Sequence, residues 1–152
     1  MSAGPVPLQY RAPAVSSRIA LIVDSFARLL RRPLVEPGED LVAALWHAPV
    51  AVVAHGVEAD PLFFFGNRAA LTAFACEVES FVGMPSRLSA EAPLREERQR
   101  LLDRVTRHGF IDDYAGTRIS ATRRRFRIER AVVWNLVDTN GACHGQAATF
   151  AV

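Results

Sequence analysis

The chain has 152 residues, half of them apolar and 22% charged, with a formal charge of +2. That length and apolar content suit one domain with a sizeable core and exclude disorder, and the near-neutral balance argues against a dedicated nucleic-acid binder. Cys76 and Cys143 form neither a disulfide framework nor a paired metal motif, no basic start leads into an apolar leader, and no apolar run is long enough for a bilayer. The expected setting is therefore a reducing cytoplasm.

Residues 1–15 are rich in Pro and small side chains and read as a flexible arm. Ser16 or Ser17 then suits the cap of an amphipathic helix within 16–33, its stripe made of Ile19, Ile22, Phe26, Leu29 and Leu30, with Pro33 as the stop. The main domain is expected over 38–152. It opens with a short helix after the cap-like Asp40, then a buried strand over 50–54 and a partner over 62–65 across the turn HGVEAD. Asn67 is a good N-cap for the helix RAALTAFAC. The clearest helix spans 94–107, with Pro93 suited to its first turn, Leu94, Leu101, Leu102 and Val105 on its buried face, and Gly109 at its end.

Three strands follow, over 110–120, 125–138 and 142–152. In the second, strict alternation puts Phe126, Ile128, Val132, Trp134 and Leu136 on one face and Arg125, Arg127, Glu129 and Asn135 on the other. Asn140-Gly141 predicts a tight type I′ turn into the third. Two strands, a helical cluster, a longer helix and three strands form the order of a PAS-type sensor domain. The expected fold is α+β: a PAS-like five-stranded antiparallel sheet with flanking helices and an N-terminal amphipathic helix.

From about Leu41 onward the segments FGNRAAL, PSRLSAE, REERQRLLDRV, GFIDDYAGTRIS, RFRIERAVVWNLVD and GQAATF resemble the MEKHLA domain family, a PAS-related group. The string that names the family is not present, and the chain resembles a single-domain, bacterial-type member. The resemblance implies a PAS-like fold and a sensory or ligand-binding role. It brings no catalytic residue and no assigned cofactor. GMPSRL is also similar to the segment of light-sensing LOV domains where a cysteine before Arg forms the photochemical adduct. Here Ser86 stands in that place, and a serine hydroxyl is too weak a nucleophile for that chemistry.

In such a fold the pocket lies between sheet and helices, so polar residues in the inward phase are the clues. Arg130 falls in register with Phe126, Ile128, Val132 and Trp134. It either binds an anion, pairs with Asp112 or Asp113, or is turned to solvent by a bulge. Of Asp112 and Asp113, alternation sends one to solvent and the other to the pocket or to an arginine such as Arg118 or Arg127. Gln146, among Gly145, Ala147 and Ala148, leaves room for a planar ligand or for a closely packed helix. Phe65, Phe74, Trp134 and Phe150 are the candidate apolar walls, with Arg130, Tyr114, Gln146 and Asp113 as candidate orienting groups.

The four histidines sit in four separate elements, so no metal site is expected. In RRRFR, alternation leaves Arg125 and Arg127 as a solvated strand edge rather than a nucleic-acid footprint. The function expected is a non-catalytic module that holds a small molecule and signals through a homodimer or a protein partner. Two rivals remain, a ligand-free dimerisation module and a small α+β enzyme using Asp112 or Asp113 as acid/base.

Overall fold

The computed structural model describes residues 5–36, 38–90 and 92–152, with backbone alone for 92–94. The N-terminal segment departs first from expectation. Tyr10 sits in a 3-10 turn, Leu8–Arg11, and is fully buried. Its hydroxyl donates to the Gly66 carbonyl at 2.9 Å and accepts from the Gly66 N–H at 3.1 Å, while its ring packs on Phe65 with centroids 4.8 Å apart. Burial pushes its pKa up to about 12. The arm expected over 1–15 is thus corrected from Leu8 onward, and residues 1–4 lie outside the described residues.

Helix α1 runs Pro13–Leu30, starting at Pro13 rather than at a serine cap. The hydroxyls of Ser16 and Ser17 instead donate to the Pro13 and Ala14 carbonyls within the first turn. Arg31 ends it in the left-handed conformation, before Pro33 is reached. Helix α2, Leu41–Trp46, is capped by Asp40, which accepts from the Ala43 N–H at 3.1 Å. Strands β1, Ala51–His55, and β2, Phe63–Gly66, lead into α3, Arg68–Phe74, and α4, Val78–Phe81. A 3-10 turn, Ser86–Ser89, precedes α5, Ala92–His108, and then come β3, Phe110–Ile119, β4, Arg125–Val137, and β5, Cys143–Phe150. The expected parts of Pro93 and Leu94 in α5 lie outside the described side chains.

The five strands form one antiparallel sheet in the order β2-β1-β5-β4-β3, as the α+β expectation requires. Helix α1 packs on one face: Phe26 meets Trp134 edge-on at 4.9 Å, and Trp134 Nε1–H donates to the Ile22 carbonyl at 3.2 Å. Ser25 ties the same helix to the end of β4, its hydroxyl accepting from the Val137 N–H at 2.9 Å. Helices α3 and α5 cover the opposite face.

Besides a shift at His144 near the hairpin end of β5, three bulges decide which side chains face which way. On β2, Phe65 pairs with Ala54 and Phe63 with His55, leaving Phe64 as an extra residue. On β3, Asp112 and Asp113 together oppose Val132. On β4, Glu129 and Arg130 together oppose Ala115, with Arg130 at φ 52. An extra residue reverses the inward phase of a strand. Phe126 and Ile128 therefore share a face with Val133 and Asn135, while Val132, Trp134 and Leu136 face α1. The single-face reading of β4 is corrected accordingly.

The β4–β5 hairpin is not type I′ either. Asn140 keeps a negative φ and Gly141 alone takes the left-handed conformation, at φ 84. The Gly141 N–H bonds the Asp138 carbonyl and the Asp138 N–H bonds the Ala142 carbonyl, the pattern of a three-residue loop closed by a bulge. The Asp138 carboxylate selects this form by accepting from the Asn140 and Ala142 N–H groups at 2.8 and 3.0 Å. Among the described residues, no helix is long and apolar enough to cross a membrane, and no group of three His, Cys, Asp or Glu side chains converges to hold a metal.

Candidate functional site

A cavity of about 50 Å³ lies between the sheet and the α3–α5 side. Its apolar walls include Phe63, Phe74, Leu101, Ile128, Val133 and Phe150, and its polar lining is His55, Ser89, Arg98, Tyr114, Arg118 and Gln146. Such a volume is far below the roughly 300–1,000 Å³ of sites that enclose drug-sized ligands. Phe74 organises the wall: its ring contacts Phe81, Phe126 and Phe150 at centroid distances of 5.8, 5.1 and 6.3 Å.

Of the residues singled out from sequence, Phe74, Phe150, Tyr114 and Gln146 lie on this lining. Arg130 does not: the β4 bulge turns it to solvent, so its pocket assignment is corrected. Trp134 faces α1 and Phe65 faces Tyr10, both on the far side of the sheet, and neither is a pocket wall. Phe63 takes the place expected for Phe65 because Phe64 is the extra residue. Asp112 and Asp113 are both exposed, since the β3 bulge spans the pair. Asp113 reaches only a shallow groove between α5 and β3 with Glu97, Arg100 and Arg104. No carboxylate lines the cavity among the described residues, which leaves the Asp112/Asp113 acid/base reading without its geometry.

Arg118 is 8% exposed and takes the place expected for Arg130. It donates to the Thr117 carbonyl at 3.0 Å and to the Tyr114 hydroxyl, with its guanidinium 5.1 Å from the Tyr114 ring centre. Arg98 reaches the same space from α5, and desolvation, followed by the like charge of Arg118, brings its pKa down to about 10. Gln146 ties sheet to helix: its side-chain N–H₂ is 3.2 Å from the Leu102 carbonyl, 3.1 Å from the Thr106 hydroxyl and 3.0 Å from Asn135 Oδ1. The small neighbours of Gln146 therefore accompany a helix packed closely on the sheet.

His55 stands at the end of β1 beside Gly145 and Gln146. Its Nδ1 lies 3.0 Å from the Gly56 carbonyl, so Nδ1 carries the proton and Nε2 is an acceptor. Nε2 is buried and has no partner among the described residues. Burial brings the His55 pKa down from 6.5 to about 4, with Arg98 opposing protonation as well. Because the folded value is depressed, His55 contributes full stability above pH 6.5 and loses it as pH falls towards 4. We expect urea unfolding to report roughly 2–3 kcal/mol less stability at pH 4 than at pH 7 from this group alone. The part of that loss that disappears in His55→Gln is its measure, and an unchanged pH profile in the variant would refute it.

Sequence reading missed His55 and Arg98 and cast Arg118 only as a partner for Asp112 or Asp113, yet each carried a signal. Position 98 lies four before 102 and seven before 105, on the helix's own apolar stripe. Position 118 shares alternation with Tyr114 and Gly116, and His55 closes the all-apolar run AVVA. Ser86, at the LOV cysteine position, is buried with its hydroxyl unpartnered among the described residues. It lies off the cavity lining, in the adjoining groove bordered by residues 56–61 and α5.

Solved structures place this arrangement among known folds. The PAS domain, in complex with ethanol, of a LuxR-family transcriptional regulator from Burkholderia thailandensis superposes at TM-score 0.58, with 18% identity over 73% of this chain and 96% of that one. The photo-excited blue-light photoreceptor Vivid gives TM-score 0.60, with 12% identity over 86% and 94% of the two chains. At these identities the likeness establishes a PAS-like fold and nothing finer. By sequence, 103 residues are 25% identical to the Homeobox-leucine zipper protein HOX29 of Oryza sativa subsp. indica, covering 68% of this chain but 12% of that protein. The MEKHLA domain model matches residues 16–152, almost the entire chain, and on that match the protein belongs to the MEKHLA domain family.

Proposed function

We propose that this domain is a non-catalytic sensory module that holds a compact small molecule in the cavity and passes the occupied state to a protein partner or a second copy. The observation that carries this reading is the cavity itself: apolar walls around a few converging, incompletely paired polar groups. The PAS domain of Burkholderia thailandensis bound to ethanol supports a ligand of this small size in such a fold.

The route out of the cavity follows from β4. Val133 lines the cavity while Trp134, its neighbour in the chain, faces the other way and holds the Ile22 carbonyl of α1. A ligand that displaces β4 or β5 changes the seat of α1, and its differential affinity for the two seats sets the size of the response. Helix α1 covers the sheet over β4, so the relay runs through that helix rather than through an open sheet face.

Native mass spectrometry of protein purified from its own host, beside a denatured control, tests the proposal. The expected result is a mass excess that vanishes on denaturation. A clean apo mass would overturn it in favour of a ligand-free interaction module.

A further inference from the structure

We propose that the ligand is a small carboxylate that also carries a hydrogen-bond donor, its carboxylate held by Arg98 and Arg118 and its donor given to His55 Nε2. The inference rests on the ligand-binding reading above and adds the chemical class. Three independent features of the cavity converge on it.

The first is charge. Two guanidiniums line one small space, and among the described residues neither has a carboxylate within ion-pair distance. Arg118 is buried and Arg98 half-buried, and a cation withdrawn from water is ordinarily paired, because leaving it unpaired is costly. Arg118 uses some of its N–H groups on the Thr117 carbonyl and the Tyr114 hydroxyl and keeps others free for a planar acceptor. A carboxylate between the two arginines relieves their mutual repulsion and matches the fork of a guanidinium.

The second is the orphaned acceptor. His55 Nδ1–H is committed to the Gly56 carbonyl, which leaves the Nε2 lone pair pointing at nothing among the described residues. An anion without a donor would set its oxygen against that lone pair. A hydroxyl or ammonium beside the carboxylate satisfies it instead.

The third is shape. Phe74, Phe150 and Leu101 line the same cavity as the polar groups, so an inorganic anion would leave its apolar lining empty, whereas a short hydrocarbon stem fills it. The small volume, about 50 Å³, favours a short stem.

The test titrates the full-length, dialysed protein at pH 7 with lactate, with propanoate, which lacks the hydroxyl, and with lactamide, which lacks the charge, following His55 ring nitrogens and backbone amides by NMR. Lactate should bind about tenfold or more tighter than either analogue and shift Nε2. R98M should weaken lactate by about tenfold or more while lactamide is unaffected, with R118M as the second variant if the first does not fold. H55L should abolish the preference for lactate over propanoate. Lactamide binding as tightly as lactate would overturn the carboxylate class and leave the sensory reading intact. Failure of lactate to bind, together with a neutral or inorganic species co-purifying in native mass spectrometry, would do the same. Failure of lactate with a clean apo mass would remove both.

Discussion

Asn67→Ala should cost roughly 3–5 kcal/mol of folding stability, several times the ~1 kcal/mol expected for loss of an ordinary helix cap. Asn67 is fully buried, and both ends of its amide are saturated. Oδ1 accepts from the Ala70 N–H at 3.0 Å and from the Val52 N–H at 2.9 Å. Nδ2 donates to the Leu45 and Val50 carbonyls at 3.0 and 2.8 Å. One side chain thereby caps α3, ends α2 and replaces a strand partner at the start of β1. Alanine removes the side-chain partner of the Ala70 and Val52 N–H groups and of the Val50 carbonyl, each of which then carries a desolvation penalty, while the Leu45 carbonyl keeps the Ala48 N–H at 3.3 Å. Asn67→Ser retains cap chemistry without the reach of the amide, and should recover about 1 kcal/mol of the loss. Urea unfolding of the three proteins measures this directly. A cost near 1 kcal/mol for alanine would mean that Asn67 is a cap and nothing more.

Gly145→Ala should be comparably severe, and should damage the cavity along with the fold. Gly145 has φ 138, and an added Cβ would fall inside the contact distance of the His55 carbonyl oxygen, 3.0 Å from His55 C and 3.1 Å from Gly56 Cα. All three are backbone atoms, so no side-chain rotation relieves the overlap. Strand β5 must move away from β1 at the point where His55 and Gln146 pair. We expect a loss of 3 kcal/mol or more, on the order of other backbone-incompatible substitutions, with displaced His55 ring resonances. Gly38→Ala is the control: nothing lies within 4 Å of its added Cβ, and its φ is not in the left-handed region. It should be neutral or slightly stabilising. Equal melting temperatures for the two variants would defeat the argument.

Asn67 also illustrates how legible the candidate site was. Its capping role is local, three residues from its partner, and could be read from FGNRAAL. Its bonds to Val52, Leu45 and Val50 join elements distant in sequence, and no spacing announces them. Phe74 and Phe150 were found for a similar local reason, since each lies on the apolar phase of a regular segment. Arg130, Trp134, Phe65 and the Asp112–Asp113 pair were misplaced because each lies at or beyond a bulge. Alternation is a rule about unbroken strands, and one extra residue inverts every assignment that follows it. Arg118 from β3 and Arg98 from α5 supply the cations of the cavity instead.

By itself the sequence determined the order of elements, the caps at Asp40 and Asn67, the long helix α5 and the antiparallel run that ends the chain. These depend on periodicity, capping and turn chemistry within a few residues, interactions that each segment carries with it. The tertiary structure alone decided the three bulges, the burial of Tyr10 against Gly66, the seating of α1 on the sheet opposite the cavity, and the meeting of His55, Arg98 and Arg118. Each of these is settled by which strand lies beside which and by how the register absorbs an extra residue. That competition is resolved only when the whole sheet closes around one core.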